Sequence, residues 1–187
     1  MMKSFVAIAL CFCLFPCMSD AAELNLATLS CGKYENEVLP AAATNPKADS
    51  INTVMWLFGY SVARSGGHVM YPDALAPFGF ALDNECKSNP RENMLDALAA
   101  VKLESKNPMD LGDVECNSFA AKHVEFARTD PESANTIMMW LFGFSVARSG
   151  GHLFNADSLN SFQTTMLAYC AKHPKDSVLD ALTPAKR

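Results

Sequence analysis

The stretch MWLFGYSVARSGGH, Met55 to His68, returns 84 residues later as MWLFGFSVARSGGH, Met139 to His152, with one change in fourteen. A period this long marks a small folding unit read twice, since solenoid repeats run about 20–50 residues. The cysteines keep the same rhythm: Cys31 and Cys86 are 55 positions apart, and Cys116 and Cys170 are 54. Four cysteines allow three pairings, and the repeat selects the one in which each copy closes its own bridge. A loop of that length contributes about 4 kcal/mol by restricting the unfolded chain. For a unit of roughly 75 residues that is a large share of total stability.

Such bridges need an oxidising compartment, and the first residues supply a route to one. Lys3 gives a short basic start, Phe5 to Phe15 form an apolar run of eleven, and Pro16 breaks it ahead of the small residues Ser19 and Ala21. This is the layout of a secretory signal peptide over residues 1–21, with cleavage after Ala21. A membrane anchor would need about 20 apolar residues, and Pro16 is a poor neighbour for lipid attachment at Cys17. Cleavage would remove Cys11, Cys13 and Cys17 and leave 14 Lys/Arg against 19 Asp/Glu, a net charge of −5. Both signs are spread through both copies. Nucleic-acid binding lacks its basic footprint, and no later stretch is apolar for long enough to be a transmembrane segment.

Within each copy the spacing predicts helices. A short one in GKYENEVLPAAA follows Cys31 and ends near Pro40; its counterpart is NSFAAKHVEFAR after Cys116. Asn45-Pro46 and Asp130-Pro131 mark turns before the main helix, which Asp49 or Ser50 can cap in the first copy. Ile51, Val54, Met55, Phe58 and Val62 fall at helical spacing, and Trp56 and Leu57 widen the apolar face. The Gly66-Gly67 pair ends this helix, with Arg64 suited to the negative end of its dipole. A third helix from about Asp73 or Asp157 sets Leu75, Phe78, Leu82 and Cys86, or Leu159, Phe162, Met166 and Cys170, on one face. A fourth is expected to start at Asn89-Pro90 and His173-Pro174, with proline in the first turn, and to run through LDAL at 95–98 and 179–182. Alternating strand patterns and hairpin turns are missing, and VKLESKNPMDLGDV between the copies reads as a linker. The expected fold is all-α: two tandem small helical domains of about four helices each, each with one intradomain disulfide.

Ser61, His68 and Asp73, repeated as Ser145, His152 and Asp157, invite a hydrolase reading. That chemistry needs a serine on a sharp exposed turn with a base in hydrogen-bond reach. Here the serine falls inside a helix, and Gly59-Tyr60-Ser61-Val62-Ala63 breaks the nucleophile-elbow pattern, so no catalytic residue is assigned. Each of His68 and His152 follows a glycine pair with no second ligand at metal spacing, and no metal or cofactor is expected. Trp56, Phe58 and Tyr60, with Trp140, Phe142 and Phe144, read as a core stripe before a ligand pocket. Gly59 and Gly143 cost about 1 kcal/mol each inside a helix, which points to another helix or a partner approaching closely there. The expected apolar seam is Met55, Trp56, Phe58, Gly59, Met139, Trp140, Phe142 and Gly143.

An early Cys, a central WLFGY or WLFGF helix, and a late Cys-x-x-x-Pro followed by LDAL together resemble the HdeA/HdeB family of periplasmic acid-stress chaperones. The matching stretches are Cys31, Met55 to Gly67, Cys86 to Pro90 and Leu95 to Leu98, then Cys116, Met139 to Gly151, Cys170 to Pro174 and Leu179 to Leu182. The resemblance implies HdeA-like domains over 22–102 and 116–187 joined by a linker over 103–115, in the periplasm, without enzyme activity. It also implies ATP-independent binding of acid-denatured periplasmic proteins, after acid loosens a dimer and exposes apolar surface. Near pH 2 the carboxylates are mostly protonated, and the mature charge moves from −5 toward +19, counting 14 Lys/Arg, four His and the amino terminus. Self-repulsion of that size loosens a compact state, while Met138, Met139 and Met166 offer adaptable apolar surface. The family's typical member is one self-associating unit, so two units in one chain suggest an intrachain pseudo-dimer through the glycine-bearing helices, with a homodimer as the alternative. The reading from another class is a periplasmic interaction protein, such as an immunity protein that blocks a toxin.

Overall fold

Helical spacing and its punctuation account for most of what forms. The computed structural model describes residues 23–44, 50–71, 73–101, 108–155 and 158–182; the expected signal peptide, Asp49 and Asp157 lie outside the described residues. In the first half, α1 (Cys31–Lys33), a π-helical turn (Tyr34–Val38) and α2 (Leu39–Thr44) form one continuous path, followed by α3 (Ser50–Arg64), α4 (Leu75–Ser88) and α5 (Met94–Ala100). In the second half, α6 (Cys116–Thr129), α7 (Pro131–Arg148), α8 (Ser158–Lys172) and α9 (Val178–Leu182) follow the same plan. Disulfides join Cys31 to Cys86 and Cys116 to Cys170, tying the first helix of each half to its α4 or α8.

Pro40 does not end the first helix as the sequence suggested. It sits inside α2, directly after the widened π turn in which Leu39 N–H donates to Tyr34 O. A proline has no N–H and its ring crowds the carbonyl four residues back; the wider turn supplies the room. The second half has no proline at this point, and α6 is regular. After Asp130, whose carboxylate accepts from Ser133 N–H at 3.1 Å, Pro131 occupies the first turn of α7.

The fourth helices also start later than expected. Pro90 O accepts from Gly32 N–H at 2.8 Å and Pro174 O from Asn117 N–H at 3.0 Å. The proline turns are therefore spent holding the start of α1 and α6, and the helices begin one turn on. Asn93 caps α5, its Oδ1 accepting from Leu95 N–H at 2.8 Å. Ser177 occupies the corresponding place before α9, with Asp180 three residues on reaching back to it, a capping-box arrangement.

Among the described residues, four two-residue strands form where none was expected. β1 (Leu24–Asn25) pairs antiparallel with β4 (Leu153–Phe154), and β2 (Val69–Met70) pairs with β3 (Met109–Asp110). The segment leading into each half thus pairs with the strand after the other half's central helix. Leu26 N–H donates to His152 O at 2.9 Å and Leu111 N–H to His68 O at 3.0 Å, extending the two exchanges identically. Each leading segment also serves its own half, since Leu29 O accepts from Met94 N–H and Val114 O from Val178 N–H, both at 2.8 Å. One hydrophobic core cluster runs through both halves, from Leu24 and Leu26 to Val178 and Leu182.

Candidate functional site

The centre of that core is the crossing of α3 and α7. A Cβ placed on Gly59 would overlap the carbonyl oxygen of Trp140, and one on Gly143 would overlap that of Trp56. The two backbones touch reciprocally, which only glycine permits and which explains two glycines inside otherwise apolar helices. Met55, Trp56, Phe58, Met139, Trp140 and Phe142 are all buried around this point. Trp56 stacks on Tyr60 and Trp140 on Phe144, each at 5.4 Å between centroids, while Phe58 meets Trp140 edge-on at 6.3 Å. Of the residues the sequence singled out as a seam, Gly59 and Gly143 lie at the crossing itself, and the other six belong to the buried cluster that contains it.

This seam carries a built-in cost. Both indole N–H groups are buried, and neither has an acceptor among the described residues. A buried donor left unpaired costs about 1–3 kcal/mol, which opening to water would return. The methionines expected to offer binding surface are covered: Met138, Met139 and Met166 are buried in this state.

At its two ends the seam is latched differently. Tyr60 Oη lies 2.6 Å from His152 Nδ1 and 3.2 Å from Gly151 O, and burial pushes its phenol above the ordinary range. The equivalent of Tyr60 is Phe144, the single change in the repeated fourteen, so the other end has no such hydroxyl. There His68 Nε2 instead meets Asp110 Oδ2 at 3.2 Å, where the equivalent residue of the other half is Asn25. One latch is a tyrosine–histidine hydrogen bond; the other is a histidine–carboxylate pair.

Ser61 Oγ donates to Leu98 O at 3.2 Å, and His68 is engaged by Asp110. Among the described residues no group of three or more His, Cys, Asp or Glu side chains could hold a metal ion. No described helix is long and apolar enough to cross a membrane. The leading strands were missed by the sequence reading, although a signal was present. Leu24, Leu26 and Leu29 stand seven, five and two residues before Cys31, and Met109, Leu111 and Val114 stand likewise before Cys116.

Residues 94–180 match the model of the HdeA/HdeB family. The match starts at the first residue of α5 and ends inside α9, taking in β3, the Cys116–Cys170 bridge and the whole of α7 with its half of the seam. No curated protein and no solved structure matches the chain. HdeA/HdeB is a chaperone family, and the two disulfides fit an exported protein. Apart from α5, the first half lies outside the HdeA/HdeB match.

Proposed function

We propose that this protein is an exported, ATP-independent acid-stress chaperone of HdeA/HdeB type, formed by two copies of the unit in one chain. On this reading the copies form an intrachain pseudo-dimer, and the seam is the binding surface kept covered at neutral pH. The observation that carries the proposal is the reciprocal glycine crossing, which seals the largest apolar side chains of both copies against each other. Acid supplies the opening force: carboxylates neutralise and the charge moves toward strongly positive. The disulfides keep each copy from unravelling fully while the seam parts. Unfolded proteins with exposed apolar segments then bind where the other copy was.

Light scattering of two unrelated client proteins at pH 2 to 3 tests this. At a modest molar excess the protein should suppress aggregation of both in acid and of neither at pH 7. Clients that aggregate undiminished in acid would remove the chaperone reading.

A second reading draws support from one surface. A groove is lined by Ser50, Ile51, Val54, Asp73, Leu75, Ala76 and Gly79, and Phe80, next in sequence to Gly79, is exposed. Its counterparts in the second half include Asn135, Asn160, Gln163 and Thr164, so apolar character there belongs to one copy. An immunity-type protein would bind a single partner tightly at pH 7 through such a face, and Phe80→Ser would abolish that binding.

A further inference from the structure

The two halves share a plan but differ wherever a proton decides a contact. In the first half, Glu92 Oε2 is buried with no hydrogen-bond partner among the described residues, and its neighbours are Glu85 on α4 and Asp96 on α5. Two ionised carboxylates have no proton to share, so this joint between α4 and α5 gains its hydrogen bond only in acid. Glu35 Oε1, on the π turn, is likewise buried with no partner among the described residues. Its neighbours are Asp83 and Lys87 on α4, and Lys87 Nζ is engaged by Asp83 at 2.7 Å. Burial first, and the neighbouring carboxylates next, push both glutamates above the ordinary carboxylate range. The α5 cap is the amide of Asn93, which does not titrate.

In the second half the equivalent of Glu85 is Tyr169, and that of Glu92 is Asp176. Tyr169 Oη donates to Asp176 Oδ2 at 2.7 Å, and His173 Nδ1 stands 3.5 Å from the same oxygen. The carboxylate accepting its proton pushes the phenol up to about 12. The donor is therefore present at every acidic and neutral pH, and the contact is strongest while Asp176 is ionised. Ala120 and Leu167 replace Glu35 and Asp83. The α9 cap depends on the Asp180 carboxylate, which accepts from Ser177 Oγ at 2.6 Å and Ser177 N–H at 3.0 Å, and these bonds pull it below the ordinary range. Ser133 does the same to Asp130 at the start of α7. His123 of α6, buried and bonded to Gln163 of α8 at 3.0 Å, has its pKa lowered by that burial. Its equivalent in the first half is Val38.

We infer that acid loosens the second half first and holds the first half together, so that the client-binding surface uncovered earliest is the second half's α6–α9 interior, fitted to extended apolar segments of unfolded proteins. The identity of the occupant rests on the chaperone reading; the order of opening does not. Raised glutamates bind protons more readily folded than unfolded, so their half gains stability as pH falls through the raised values toward the ordinary carboxylate range. Lowered aspartates work the other way, losing stability as pH falls from the ordinary range through their folded values. A lowered histidine loses stability as pH falls below the ordinary imidazole value toward its folded one.

Amide hydrogen exchange of the full chain, corrected for intrinsic rate, should be followed from pH 7 to 2.5. Protection in α9 and at the α6–α8 contact should be lost as the pH falls, while α4 and α5 keep theirs. Glu85→Tyr should remove the acid-strengthening of α5, and Tyr169→Glu should give α9 protection that rises in acid. Simultaneous loss in both halves, or earlier loss in α5, would overturn the inference even if clients are protected. Loss in the expected order without client protection would retain the order and remove the chaperone reading.

Discussion

A Cβ at position 59 has no room, because what it meets is a carbonyl oxygen of the facing backbone. A side chain could rotate away; a backbone in mid-helix cannot. Gly59→Ala gains about 1 kcal/mol of helix propensity, yet overpacking a tight contact costs about 1–3 kcal/mol and more where nothing can yield. The second effect wins. We expect Gly59→Ala, and Gly143→Ala equally, to cost about 2 kcal/mol of stability net, read as a lower urea midpoint at pH 7, and to shift acid opening to higher pH. An unchanged midpoint would mean that the helices do not cross as described. This contact was legible in the sequence as an anomaly, a glycine in an apolar helix that required a reason. The latches were not. The Tyr60-for-Phe144 exchange was visible, but its partner His152 lies 92 positions away, and nothing local connects them.

Elements show where local signals were overruled. The main helices, their glycine ends and the cysteine pairing followed from spacing and repetition. The fourth helices began later than the Asn-Pro and His-Pro turns suggested, because those turns' carbonyls receive N–H groups from α1 and α6, a tertiary demand that no local pattern announces. Strands of two residues carry no alternation to detect, and the supposed linker proved to supply one of them. The bridges act at this scale as well. Each joins its half's first helix to α4 or α8, so reduction should cost about 4 kcal/mol per bridge. We expect reduced protein to lose cooperative urea unfolding at pH 7 and to precipitate on acidification. Reversible acid opening without the bridges would show that they are not what limits unravelling.

In the whole molecule, a covered seam, two exchanged strands and unequal halves act together in the proposed acid response. Both strand exchanges and the helix crossing lie within a single chain, so opening should be a first-order event. The chain's two tryptophans, Trp56 and Trp140, both sit fully buried on the seam, and their fluorescence reports on it without any label. An emission titration from pH 7 to 2, repeated at two protein concentrations tenfold or so apart, separates intrachain opening from dissociation, since a dissociating dimer follows mass action. Intrachain opening gives a reversible red shift in acid with the same midpoint at both concentrations. Emission that stays blue to pH 2, or a midpoint that moves with concentration, would contradict it.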